Sequence, residues 1–308
     1  RYQDSEDYMG FLRRQQTNDN LLITNQLITD WKLNEKMRLK AGLSHNNVKG
    51  AEPDRRENYL SKDVDGSYVL TGSNRQKRFF SLLKENDFNA KINLTYAIGD
   101  KFGKGNSNFQ AGYSGRLVFD NFEAVEYNFT AVSGTYQIQN LSLDNIYNQS
   151  NYDAGKFMMT EGDMNRYKVY KFIHAPYAEV NYQLTDKLTA NAGVKADKVD
   201  MTVNHHVQHV APGKESINKL YFLPALNLKY DANNRNSLRL GLSKTYTLPQ
   251  SKEISPYQYV NISFSSQGNA RLKPSDNYNA DLKWDFYITP SELISITGFY
   301  KHIVNPIA

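Results

Sequence analysis

The sequence predicts an all-β chain, a transmembrane antiparallel β-barrel of which about ten strands of a larger cylinder lie within these residues. Three observations predict it: a composition rich in aromatic residues and asparagine, a two-residue hydrophobic alternation that recurs along the chain, and connections that are short and long in strict turn. Among 308 residues there are 22 Tyr, 15 Phe, 33 Asn, only 2 Trp and no Cys. Tyr and Phe favour pleated, half-buried strands, and Asn favours turns and loops. No apolar run approaches the roughly 18–20 residues that a membrane-spanning helix needs, which excludes an ordinary helical membrane protein. Without Cys there is no disulfide scaffold, no thiolate metal site and no thiol catalysis. The formal net charge of +5 is not gathered into a basic run, so no nucleic-acid partner is implied. Arg1 to Ser5 shows neither an initiator Met nor a signal-peptide pattern. The expectation is that residues 1–308 are part of one barrel domain of a longer protein.

In chain order the first segment, Leu21–Trp31, alternates with Asn25 and Thr29 on its better face. Met37–Ser44 follows with a clean period of two, and Phe88–Ile98 places Phe88, Ala90, Ile92, Leu94, Tyr96 and Ile98 on one side. The same register returns at Phe109–Phe119, Tyr177–Leu184, Leu188–Asp197, Phe222–Tyr230, Leu238–Ser243 and Tyr278–Phe286. Across these eight cleanest segments, 38 positions fall on the apolar face and none is charged, whereas twelve of the 34 opposite positions are. Leu293–Ile303 closes the series with Ile294, Ile296 and Tyr300 on one side. Pro224 lies within a strand, where its missing N–H breaks a ladder bond, so a bulge or local widening is expected there.

The connections separate two readings of such strands. Short turns stand at Leu33–Lys36, Gly99–Ser107, Thr185–Lys187, Asp231–Asn236 and Thr289–Glu292, and long connections near 45–86, 120–166, 203–218 and 247–276. In a sandwich, connection lengths are not sorted by end. Outer-membrane barrels, in contrast, join strands by short periplasmic turns and long extracellular loops, with lipid on one face and a polar lumen on the other. Hydrocarbon tolerates no open sheet edge, so the strands belong to a closed barrel.

From Tyr221 onward the chain resembles the middle of a TonB-dependent outer-membrane receptor barrel. The resemblance is carried by the segments 221–230 and 238–249, then by Glu253-Ile254-Ser255-Pro256-Tyr257, by 268–275 and by 299–307, with Ala175–Glu179 similar to the preceding strand. Leu248-Pro249 stands where the family often has Arg-Pro, and Asn269-Ala270 where it often has Asn-Pro. The resemblance implies an N-terminal plug domain with a TonB-contacting box, and further strands of a 22-stranded type of barrel.

Aromatic residues in the long connections, Tyr127, Tyr136, Tyr147, Tyr152, Tyr257, Tyr259 and Phe264, are candidates for contact with a ligand by stacking, or else pack the loops together or form an aromatic girdle. The polar-face charges Arg38, Lys91, Arg116, Glu179, Lys195, Asp197, Arg239, Asp281, Lys283 and Asp285 are expected to line the lumen and meet the plug. His205, His206 and His209 are weak candidates for a transition metal or metal chelate. Asp63-Val64-Asp65-Gly66-Ser67 imitates the opening of a calcium loop but lacks its closing Glu, and reads as a polar turn. The Asn-x-Ser/Thr triplets at Asn93, Asn128, Asn140, Asn148 and Asn261 are read as unmodified.

The reading is then the barrel portion of a receptor for energised uptake of a scarce nutrient, an iron chelate, a glycan or a peptide, in the outer membrane of a Gram-negative bacterium. No enzyme activity and no cofactor are expected. The partners implied are outer-membrane lipid, TonB through the plug, a small nutrient ligand and a surface lipoprotein. The competing classes are an outer-membrane barrel without energy coupling, acting as a porin, adhesin or scaffold of a surface complex, and a soluble β-rich glycan-binding protein.

Overall fold

The computed structural model describes residues 2–6, 10–71, 76–99, 107–132, 136–137, 143, 146–162, 164–260 and 264–307. Its strands are β1 (Tyr2–Glu6), β2 (Gly10–Gln15), β3 (Asp19–Lys32), β4 (Met37–Lys62), β5 (Tyr68–Leu70), β6 (Gln76–Ile98), β7 (Ser107–Ala131) and β8 (Tyr136–Gln137). They continue as β9 (Phe157–Glu161), β10 (Asn165–Gln183), β11 (Leu188–His206), β12 (Gly213–Asn233), β13 (Asn236–Thr247), β14 (Gln258–Val260), β15 (Ser265–Gln267), β16 (Ser275–Thr289) and β17 (Glu292–Val304). The helices α1 (Gln149–Asp153) and α2 (Ser251–Ile254) are each about one turn. Among the described residues no helix is long and apolar enough to cross a membrane.

Ten strands form the wall in the order β3, β4, β6, β7, β10, β11, β12, β13, β16, β17, each antiparallel to the next. Every alternating segment read from the sequence falls inside one of them, apart from Leu184, which lies one residue past the end of β10. The short turns join them at one end, except that 100–106 of the Gly99–Ser107 connection lies outside the described residues. At the other end β2 continues the line of β3, pairing with the upper part of β4 from Gly10↔Ser61 to Gln15↔Arg56, and β1 pairs with β2.

Register shows why the alternation matters. One cross-strand row reads Met37, Tyr96, Phe109, Val180, Ala192, Leu226, Leu242, Ala280, Tyr300 over nine strands. The adjacent row, one residue along, reads Arg38, Thr95, Gln110, Glu179, Gly193, Ala225, Ser243, Asn279, Lys301. Large side chains of the first kind are exposed, among them Phe88, Ile92, Tyr96, Phe109, Leu242, Leu282 and Ile296. An apolar sheet of that extent cannot face water stably; it is the lipid-directed outer face. The belt from Phe88 to Ile98 runs roughly 33 Å along its strand, about 25 Å of height once the strand is tilted, which is the apolar band of an outer-membrane barrel.

The strands do not stop at the top of that belt. β4, β6 and β7 have 26, 23 and 25 residues, against the ~9–11 that a tilted crossing requires. Much of what the sequence reads as the connections 45–86, 120–166 and 203–218 is therefore hairpin, and the last shrinks to 207–212. Above the belt the faces exchange character. On the inner face Tyr167, Val169, Val199, Met201, Val203 and Tyr221 are buried with Ile254, while their outward neighbours Lys168, Asn204 and Ser216 are exposed. Water surrounds the outside of this rim, and residues 248–260 and 264–274 fold onto its inside, so hydrophobic burial now favours the inner positions.

Pro224 pairs with Val194 in unbroken register, but the β12–β13 ladder begins only at Ala225↔Ser243. Above it β13 stays with β16 and parts from β12, and Tyr246 crosses the gap to stack on Tyr221, with centroids 4.0 Å apart. This is the widening expected from the missing N–H. A second proline, Pro53, lies in the one register shift of the β4–β6 ladder, between Glu52 and Arg55. Among the described residues the ladder joins β3 and β17 to one neighbour each, leaving two open edges.

Candidate functional site

After β13 the chain turns inward. Gln250 caps α2 reciprocally with Glu253, whose Oε2 accepts the Gln250 backbone N–H at 2.7 Å. The cap aims Ile254 into the apolar inner cluster, where burial of such a side chain is worth roughly 1.5–3 kcal/mol. Ser251 Oγ donates to Asp120 Oδ2 on β7 at 2.6 Å. The return is fixed at Gly268, whose N–H donates to the Tyr257 carbonyl; any Cβ there would collide with the Ser255 carbonyl. The hairpin β14–β15 then reaches across to β2 and β4, where Arg14 Nη2 donates to the Val260 carbonyl at 3.1 Å.

Between this fold-back and the wall lies a cavity of about 670 Å³. Phe79, Phe122 and Tyr167 of the wall and Tyr257 and Tyr259 of the fold-back supply its rings, and Asn18, Asn20, Gln267 and Asn269 its carboxamides. Tyr167 stacks on Phe122 at 4.8 Å, and Tyr257 leans on the same ring at 5.3 Å. Burial holds the Tyr257 and Tyr167 hydroxyls protonated, far above their ordinary range. Behind the cavity the Arg55 guanidinium, only 3% exposed, lies 4.0 Å over the Phe79 ring and 5.4 Å from that of Tyr259. Glu52 and Glu57 neutralise it at 3.1 and 3.3 Å. The result is a rigid aromatic slot with little net charge, suited to a flat or ring-bearing solute edged by hydrogen-bonding groups.

Of the aromatic candidates, Tyr257 and Tyr259 line this cavity and the others do not. Tyr127 points to the outer face, its hydroxyl donating to Glu161 at 3.2 Å. Tyr136 and Tyr147 pack against a separate loop core of Phe11, Leu60, Leu70 and Leu143. Tyr152 meets Phe157, and Phe264 is exposed beside the β14–β15 hairpin. The alternation of the strands sends His205 inward and His206 outward, and His209 turns away at φ 64°, so the three histidines do not converge. Among the described residues no group of three His, Asp or Glu side chains could hold a metal. Asp63–Ser67 is the expected polar turn, with Gly66 at φ 83° and Asp65 Oδ1 accepting from Ser67.

The polar-face charges all lie on the inner face by register, mostly in compensated groups. Arg38 makes a bidentate pair with Asp30 at 2.7 and 2.6 Å. Arg116 pairs with Asp87, and Lys195 with Asp197, which also accepts from Tyr246. Asp285, almost fully buried, is held by Lys283 at 2.9 Å and Arg239 at 3.7 Å. Lys91 lies over the Tyr177 ring, Glu179 faces Gly193, and Asp281 stands opposite Gly241.

Among curated proteins no sequence matches this chain. Solved structures do resemble it in fold. The siderophore receptor PiuA from Acinetobacter baumannii aligns at TM-score 0.49 and 10% identity, covering 96% of this chain and 48% of that one. The ferric citrate transporter FecA aligns at 0.45 and 11%, covering 99% and 48%. The alcaligin outer-membrane receptor FauA from Bordetella pertussis aligns at 0.43 and 12%, covering 97% and 47%. The chain thus spans about half the length of the structures it matches. A family profile described as TonB dependent receptor-like, beta-barrel covers residues 1–308 without remainder. Ten antiparallel strands with an apolar outer belt, a polar inner face and a folded-in mouth loop are the wall of such a receptor, and the chain belongs to the TonB-dependent receptor β-barrel family.

Proposed function

We propose that this chain forms the ligand-facing half of a receptor for energised uptake of a scarce nutrient through the outer membrane of a Gram-negative bacterium. The ligand first lodges in the slot beneath the fold-back after β13, and then passes down the polar bore when TonB, acting through a plug domain, clears it. The observation that carries this reading is the cavity itself. It sits on the inner face, at the end of the long connections, and is walled by Tyr257, Tyr259, Phe122 and Tyr167. Its rings and carboxamides suit an iron chelate, glycan or peptide with a flat face better than a strongly anionic solute, because Glu52 is paired with Arg55 and the other lining charges, Lys252 and Glu253, are of opposite sign. The charges Arg116, Lys195, Asp197, Arg239, Lys283 and Asp285 would then meet the plug from the wall side.

In the full-length protein, Tyr257→Ala and Tyr259→Ala together are expected to weaken ligand retention by cells at least tenfold while leaving the amount of assembled barrel unchanged. Deleting TonB should abolish uptake of the same compound but not its surface binding. Uptake that continues undiminished without TonB would instead establish an uncoupled pore.

A further inference from the structure

Just above the apolar belt, the outer face carries one cross-strand row unlike the others. In register it reads Leu21, Lys49, Lys84, Asn121, Lys168, Asn204, Lys214 across β3, β4, β6, β7, β10, β11 and β12. Lys49 is bonded to Asp19 at 3.1 Å. Lys84, Lys168 and Lys214 are exposed and have no ion-pair partner among the described residues. The contrast with the inner face is sharp, since Arg116, Lys195 and Lys283 there each hold a carboxylate. Neighbouring strands are about 4.8 Å apart, so the three free ammoniums repeat at roughly 10 Å intervals around the barrel.

Two features fix what this row faces. Immediately beneath it, Phe119 meets Tyr170 edge-on at 5.7 Å and Phe88 at 6.4 Å, an aromatic girdle at headgroup level. Below that, a furrow of about 580 Å³ opens on the outer face, floored by Ala90 and Gly115 and walled by Leu43, Phe88, Leu117 and Phe172. Small residues make the furrow, and its walls are apolar. It has room for an acyl chain running down the wall.

We propose that the lysine row and the furrow together bind a phosphorylated lipid of the outer leaflet, with phosphates on Lys84, Lys168 and Lys214 and one acyl chain over Ala90 and Gly115. Compact ammonium groups bind phosphate as point charges, and the pairing would relieve three like charges that have no direct ion pair among the described residues, the nearest carboxylate on this face, Glu123, being bonded to Asn121.

The test uses the full-length receptor in detergent micelles, with diphosphorylated lipid A as probe, its dephosphorylated form as control and inorganic phosphate as competitor. The triple variant Lys84→Gln, Lys168→Gln, Lys214→Gln should weaken lipid binding about fivefold per charge, roughly a hundredfold in all. The corresponding Lys→Arg triple should bind as wild type does, and Ala90→Phe should weaken binding while leaving the lysines in place. Heat-modifiable gel mobility confirms that each variant is a folded barrel. Equal binding by the glutamine triple, or equal binding of the dephosphorylated lipid, overturns the proposal. So does full displacement by millimolar inorganic phosphate, which would mark the row as an anion patch without a lipid.

Discussion

Glu85 and Asp120 face each other across the β6–β7 ladder on the inner face, just above the belt, with Lys171 beside them. Burial, and then the charge of Asp120, pushes the Glu85 carboxyl above its ordinary value of 4.5; burial, reinforced by Arg116, pulls the Lys171 ammonium down. The fold therefore favours protonated Glu85. Its contribution to stability is fully present below the ordinary carboxyl range and is lost as pH rises through the raised folded value. Thermal melts of the full-length protein between pH 4.5 and 7.5 should show a decline that Glu85→Gln reduces, and an unaltered slope in the variant would contradict this assignment. Nothing about Glu85 is legible in the sequence, because its partner lies 35 positions away and becomes a neighbour only through register.

At the scale of the element, alternation was the readable quantity, and it placed all ten wall strands and the polarity of their faces. Leu94 shares a row with Leu39 and Ala111, and Leu240 with Leu228 and Leu282. Leu94→Arg and Leu240→Arg should each cost about 2–4 kcal/mol in barrel stability if they lie mid-bilayer. Urea titration in detergent or lipid checks it, and variants as stable as the parent would mean that these faces have been inverted. The upper strand halves were not readable, for a physical reason visible in β10. Tyr170 and Phe172 are apolar outward neighbours of the inward Tyr167, Val169 and Ile173, so both faces look greasy where the burial preference changes sides. A period-two pattern fades at such a crossing, and the segment passes for loop. The β5, β8 and β9 strands are only 3, 2 and 5 residues long, too short to carry a period at all.

For the whole molecule, the sequence located the end at which the candidate site lies but only two of its rings. Tyr257 and Tyr259 stand out as aromatics in a long connection, whereas Phe79, Phe122 and Tyr167 sit far away in the chain and meet them only because the chain after β13 folds back. The basic row Lys49, Lys84, Lys168 and Lys214 was equally invisible, since its members come from four different strands. The weak histidine candidates are dispersed for the opposite reason: residues adjacent in a strand are separated by the sheet itself.

The overshoot of the strands has a further consequence. From Asp120 to Ala131 the β7 ribbon climbs roughly 36 Å along its axis, about 28 Å in height at a barrel strand's tilt. The vestibule is thus a stiff turret whose rim stands well clear of the lipid while its floor, at Phe122 and Tyr167, lies near headgroup level; under the proposed function, first contact at the rim and descent from the floor are events at two altitudes, and damage to one leaves the other measurable.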